Sequence, residues 1–197
     1  MPSYDSCLVD AELRARAAYA QPHRRYHDER HLDDCLRQLD DLRDVTEDDR
    51  RRLRWAALWH DAIYDPLRID NEERSADLAK AELIGCGVDE TDADEVARLI
   101  LLTKGHSVDE ADRLGALLVS VDLSILGSDP ERYSSYAADV RAEYAHVPDE
   151  GWRSRRAAVL RHLIEANPLY PNADFRQRLE AQAKRNMDAE LRSLGED

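Results

Sequence analysis

An all-α fold is what this sequence predicts, and three observations carry it. Apolar residues recur three and four apart through most of the chain, as in Leu32, Cys35, Leu36 and Leu39, or Phe175, Leu179, Ala183, Met187 and Leu191. No stretch alternates apolar and polar residues for long enough to make a strand. Breaks fall where helices stop and restart, at Gln21-Pro22, Gly85-Cys86-Gly87 and Gly127-Ser128-Asp129-Pro130. The expectation is a single domain over residues 1–197, a helical bundle of about eight or nine helices.

Taken in order, Ser6 caps a helix over 6–20 with Leu8, Leu13, Ala17 and Ala18 as its apolar side. Pro22 ends it, because the residue before a proline is pushed out of the α region. A histidine-rich stretch, His23-Arg24-Arg25-Tyr26-His27-Asp28-Glu29-Arg30-His31, leads into a helix reaching about Arg43. Thr46-Glu47-Asp48-Asp49 supplies a cap and an acidic first turn for the next one. That helix is read on through 53–65, with Leu53, Ala57, His60 and Tyr64 at helical spacing and Trp55, Leu58, Trp59 and Ile63 filling the inward arc.

Asp70-Asn71-Glu72-Glu73 caps a helix through Ala76, Leu78, Ala79 and Leu83 that Gly85-Cys86-Gly87 stops. Another starts at Asp89-Glu90-Thr91 and carries Val96, Leu99, Ile100 and Thr103 to Gly105; residues 109–125 hold the next. Pro130 stands at a first helical position, and its helix presents Tyr133, Tyr136, Val140 and Tyr144 as packing residues. Pro148 opens a helix through Trp152, Arg156, Val159, Leu160 and Leu163, and a charged helix over 173–194 closes the fold.

Acidic residues outnumber basic ones 42 to 28, a formal charge of −14. Such a field repels phosphate backbones, so general nucleic-acid binding is disfavoured. A small phosphorylated substrate remains compatible, because a bound cation reverses the sign locally. Cys7, Cys35 and Cys86 are sparse, odd in number and form no CxxC pair, which predicts reduced buried thiols and no disulfide framework. The N-terminal residues show no basic region followed by an apolar one, and no apolar run approaches the ~20 residues that span a bilayer. The expectation is a cytoplasmic protein without membrane contact.

Chemistry concentrates in residues that the apolar pattern does not explain. His60-Asp61 sits inside an apolar run, and Asp122 sits inside Leu-Gly-Ala-Leu-Leu-Val-Ser-Val-Asp-Leu-Ser-Ile-Leu. An ionised carboxylate buried there costs several kcal/mol unless a positive charge answers it. A divalent cation is such an answer, and imidazole and carboxylate suit one. His27 and His31 stand four apart, on one face if both are helical. His31, His60, Asp61 and Asp122 then form a mixed nitrogen and oxygen ligand set with a position left for water or substrate.

The order His, His-Asp, Asp on a helical chain resembles the HD superfamily of metal-dependent phosphohydrolases, and more closely its bacterial branch of predicted hydrolases. The strings that carry the likeness are Arg25-Tyr26-His27 with His31, Trp59-His60-Asp61-Ala62-Ile63-Tyr64-Asp65, Asp70-Asn71-Glu72 with Ser75-Ala76, Thr103 with His106, and Asp122-Leu123-Ser124-Ile125-Leu126-Gly127. Arg141-Ala142-Glu143-Tyr144 and Arg185-Asn186-Met187 with Glu190-Leu191 extend it over nearly the whole chain. The resemblance implies that His31, His60, Asp61 and Asp122 ligate a divalent ion: Mn, Mg, Fe, Ni, Co or Zn. It also implies that His27 matches the histidine that protonates the leaving group in cyclic-nucleotide phosphodiesterase relatives. Several HD enzymes carry Glu or His three residues after the motif's Asp, where this chain has Tyr64. That departure bears on a second metal and on nucleotidase activity.

The expected reaction is hydrolysis of a phosphate ester, of a nucleotide or another small phosphorylated metabolite, by metal-activated water. Asp61 steadies that water or bridges a second ion, and His27 is the general acid. Lys104, Arg24 and Arg25 read first as solvated charges and, under this chemistry, as groups that neutralise phosphoryl charge. His106 reads as a second-metal ligand or phosphate contact, and Glu72 as a cap residue within reach of the site. His23, His146 and His162 show no partner pattern. The alternative is a metal-containing HD-fold binding or regulatory protein without turnover. A di-iron bundle is the third reading, since Asp28-x-x-His31 resembles one Glu-x-x-His element, but a second element is missing.

Overall fold

The computed structural model describes residues 4–195, and among these it is all-helical, as the sequence predicts. Nine α-helices are present: α1 (Tyr4–Tyr19), α2 (Glu29–Asp40), α3 (Glu47–Trp59), α4 (Asn71–Gly85), α5 (Glu90–Leu102), α6 (Arg113–Asp122), α7 (Pro130–Glu143), α8 (Asp149–Glu165) and α9 (Ala173–Ser193). A short 3-10 helix covers Leu123–Gly127. Residue contacts gather the described residues into two compact units that divide between Leu118 and Val119. No helix among the described residues is long and apolar enough to cross a membrane.

In the first unit α3 is the hub, touching α1, α2, α4 and α5. Thr46 starts it as expected, its side chain accepting from the Asp49 N–H, and Glu47, Asp48 and Asp49 place negative charge at the helix's positive end. Leu53, Trp55, Ala56, Ala57, Leu58 and Trp59 are all buried. With Leu32 and Leu39 of α2, Leu83 of α4, and Leu99 and Ile100 of α5 they form the core, each large side chain contributing about 1.5–3 kcal/mol on burial.

The α1 helix departs from its expected face. Ala11, Ala15 and Tyr19 face inward at intervals of four, while Val9 and Leu13 are exposed. Small alanines let the helix backbone approach its neighbours, and that proximity outweighs the burial of larger residues one position away.

The α1 helix is also tied covalently. Cys7 and Cys86, with Cα atoms 5.3 Å apart, form a disulfide across a separation of 79 residues. This corrects the expectation of three reduced thiols. Counting and spacing carried no signal for it, because the helical fold alone brings the start of α1 to the end of α4. Cys35 remains a buried free thiol.

In the second unit the 3-10 helix packs against α9 and α7, and α8 packs against α9. The core is Leu126, Leu160, Tyr170, Phe175, Ala183 and Met187. Arg156 and Glu190 make a nearly buried bidentate pair at 2.8 and 3.0 Å, and Tyr133 donates to the same carboxylate at 2.5 Å. Such a pair is tolerated inside a fold because its geometry satisfies both charges.

Candidate metal centre

Helix α3 stops at Trp59, six residues short of the predicted end at 65. In a continued helix the Ala57 carbonyl would accept the Asp61 N–H. The His60 imidazole takes that carbonyl instead, Nδ1 donating at 2.7 Å, while the Asp61 N–H is donated to the Tyr19 hydroxyl at 3.2 Å. His60 and Asp61 therefore lie in the turn after the helix. The apolar run beyond Trp59 reflects burial, not helical periodicity.

Side chains from the α1–α2 connection and from α4 answer the backbone of this turn, which neither helix nor sheet satisfies. Arg24 donates to the carbonyls of Asp61 and Ala62 at 2.6 and 3.0 Å. Ser75 of α4 accepts from the Ile63 N–H and donates to the Ile63 carbonyl. Asn71 repeats the pattern on Asp65, accepting at 3.1 Å and donating at 3.0 Å. The His23 ring meets the Tyr64 carbonyl at 3.0 Å. Asn71 is therefore a strut for the turn, and its neighbour Asp70 binds Arg68 and makes no cap bond.

Three donor atoms converge above this scaffold. Nε2 of His31 lies 3.1 Å from Nε2 of His60; Oδ2 of Asp61 lies 3.1 Å from the latter and 3.7 Å from the former. Two ligands of one tetrahedral ion, each about 2.0–2.2 Å from it, stand roughly 3.3–3.6 Å apart. The observed separations bracket that range. The orientation of His60 fits as well: a carbonyl only accepts, so Nδ1 carries a proton, and Nε2 is the atom turned to the cluster, able to ligate a cation from the neutral ring. His31 and His60 are buried, Asp61 is 17% exposed, and together they could hold a metal ion.

Burial alone would push the Asp61 carboxyl up, but the imidazoles of His60, His27 and His31 outweigh it and hold the group well below the usual carboxylate range. The Tyr19 hydroxyl moves the other way, raised chiefly by burial, and stays a neutral partner for the Asp61 N–H. His31 is braced by the Tyr26 hydroxyl, 3.0 Å from Nδ1, and by the Cys35 thiol at 3.8–3.9 Å.

His27 does not share a helix with His31. Asp28 caps α2 and accepts from the Arg30 N–H, which leaves His27 in the turn just before it. The ring still comes near the cluster, its centroid 6.1 Å from that of His31, and it stacks on Tyr64 at 4.1 Å with 26° between planes. Tyr64 thus acts as a platform for His27 at the position where Glu or His was the comparison.

The other expected residues are placed as follows. Arg24 is buried, 3% exposed, and directs its guanidinium at backbone carbonyls, which corrects its reading as a solvated or substrate-facing cation. Arg25 is exposed. Lys104 pairs with Glu73 and donates to the Ile69 carbonyl at 2.8 Å. Glu72 is half-buried in the first turn of α4. His106 follows α5 with φ +53°, its N–H closing on the Leu102 carbonyl. Asp122 ends α6 in the second unit.

Tyr19, His23 and Ser75 were not singled out from the sequence as site residues. Ser75 offered a signal, a polar residue beside Ala76 on the inward face of α4; Tyr19 and His23 act through backbone groups and offered none. Comparison with protein-family models, curated proteins and solved structures finds no match.

Proposed function

We propose that this protein is a metal-dependent phosphohydrolase of the HD type, acting on a small phosphorylated substrate. The observation that carries the reading is the convergence of His31 Nε2, His60 Nε2 and Asp61 Oδ2 within 3.7 Å of one another, with His27 beside them. The order of these residues along the chain, which resembles the HD pattern, supplies the reaction class.

His31, His60 and Asp61 hold the cation in this reading. When bound, a divalent ion lowers the pKa of water from 15.7 to about 7 and polarises a phosphoryl oxygen. His27 gives its proton to the leaving oxygen, and the stack on Tyr64 fixes its ring for that task. Asp122 remains a ligand expected from the resemblance; unchanged metal content in Asp122→Asn removes it from the set.

The test is a panel of phosphomonoesters and phosphodiesters with manganese, magnesium, nickel or cobalt. Turnover by the wild type that disappears in Asp61→Ala and His60→Ala supports the reading. Equal metal content in wild type and His60→Ala refutes it. A second reading, a ligand sensor that keeps the metal without turnover, draws on Tyr64 standing where several HD enzymes place a further carboxylate or imidazole. Tight nucleotide binding without hydrolysis selects it.

A further inference from the structure

One guanidinium nitrogen joins the two residues to which the proposed reaction assigns opposite tasks. Nη1 of Arg24 donates to the carbonyl of His27 at 3.1 Å and to the carbonyl of Asp61 at 2.6 Å. Nη2 continues to the Ala62 carbonyl at 3.0 Å, and Nε is held by the Gln21 side chain at 3.1 Å. The guanidinium carbon lies 5.1 Å from the Tyr19 ring centroid and 5.5 Å from that of Tyr64, the ring on which His27 stacks. A planar fork of five N–H groups makes this arrangement, and a lysine ammonium, a single point with three donors, cannot reproduce it.

His60 and His31 are anchored differently, through the Ala57 carbonyl and the Tyr26 hydroxyl. Each of these two rings thus has an anchor of its own. The backbone of His27 lies in an irregular turn, and that of Asp61 lies beyond the end of α3; both have lost a helix's own restraint.

We infer that Arg24 is the positioning residue of this centre, one that sets the spacing between His27 and Asp61 by clasping both backbones with a single nitrogen. The inference rests on the metal-centre reading above. Its consequence is selective: without the fork the imidazole ligands stay in place, while the carboxylate ligand and the acid drift from each other. A misplacement near 1 Å is enough for about a 100-fold loss of rate.

Cobalt(II) is the probe. Wild type, Arg24→Lys, His60→Ala and a destabilised control, Leu83→Val in the α4 core, are titrated with cobalt and their visible spectra recorded. The expectation is a ligand-field spectrum in wild type that is unchanged in Leu83→Val and lost in His60→Ala. In Arg24→Lys cobalt is still taken up in the wild-type ratio, but band position and intensity change as Asp61 shifts. For any ester that wild type hydrolyses, kcat in Arg24→Lys falls about 100-fold with KM within about threefold.

If Arg24→Lys does not fold, Gln21→Ala, an exposed change that removes only the Nε acceptor, takes its place with a smaller shift of the same bands. A spectrum and kcat identical to wild type, with only a lower melting temperature, overturn the role of Arg24 and leave the metal centre standing. No cobalt spectrum in wild type overturns the centre itself and this inference with it.

Discussion

Nε2 of His31 faces Nε2 of His60 across 3.1 Å, and behind that gap the Ala57 carbonyl accepts from Nδ1 of His60. His60 keeps its proton on Nδ1 for that carbonyl. Two bare lone pairs at this distance repel, so without a cation at least one of the two Nε2 atoms carries a proton into the gap. A cation held by both Nε2 atoms takes that proton's place and leaves each ring its proton on Nδ1 alone. Nitrogen-15 NMR at neutral pH should show the Nε2 proton lost from this pair on addition of zinc, with Nδ1 of His60 protonated throughout. A His31 signal indifferent to saturating zinc would remove the ion from between these rings.

His27 should separate catalysis from metal binding. Its ring is stacked on Tyr64 and is not one of the three converging donors. The His27→Gln variant is expected to keep wild-type metal affinity and to lose 10²- to 10⁴-fold in kcat, the usual worth of a positioned general acid. Titration calorimetry and steady-state rates measure the two effects; a parallel fall in metal affinity would make His27 a ligand.

Much of this could be read from the sequence, and the exceptions share a cause. Helical class, the Thr46 cap and the burial of His60 follow from local spacing and from the place of that histidine in an apolar run. The end of α3 at Trp59 does not, because it depends on His60 and Tyr19 competing for backbone partners 38 to 42 residues away from Tyr19. Arg24 misled for a similar reason: an arginine in a charged, histidine-rich stretch reads as solvated, and only the folded turn supplies the carbonyls that bury it. Cys7 and Cys86 meet only once α1 lies beside α4.

That disulfide closes a long loop and should therefore matter to stability. Constraining an unfolded chain across a separation of 79 residues stabilises the fold by about 2–4 kcal/mol. Urea midpoints of oxidised protein, reduced protein and the Cys7→Ser/Cys86→Ser double variant should place the last two together and below the first. Thiol titration of denatured, non-reduced protein should find one free group, Cys35. Three titratable thiols before reduction would mean that the bridge does not form.

The Asp61 carboxyl predicts an acid-side loss of stability in metal-free protein. Burial opposes its ionisation, yet His60, His27 and His31 lower its pKa below the ordinary 3.8. A group with a depressed folded pKa stabilises the fold above its unfolded pKa, and that contribution drains as pH falls through the folded value. The stability advantage of wild type over Asp61→Asn should therefore be full at about pH 5 and shrink steadily below about pH 4. Chemical denaturation at a series of acidic pH values measures it. An advantage that grows toward lower pH would reverse the sign of the interaction.

Gly127 tests the packing of the second unit. A Cβ built on it would lie 2.6 Å from the Leu179 Cβ and 2.9 Å from the Leu179 carbonyl oxygen, closer than carbon atoms tolerate. Helix α9 has little freedom to retreat, because the buried Asn186 side chain on the same helix donates to the Leu126 and Ser128 carbonyls at 2.9 Å each. Gly127→Ala should cost about 1–3 kcal/mol by overpacking, read from the urea midpoint. Leu179→Ala should not rescue it, since that change leaves both the offending Cβ and the carbonyl in place. A Gly127→Ala protein within about 0.5 kcal/mol of wild type, the range of an ordinary surface substitution, would show that the 3-10 helix and α9 do not approach this closely.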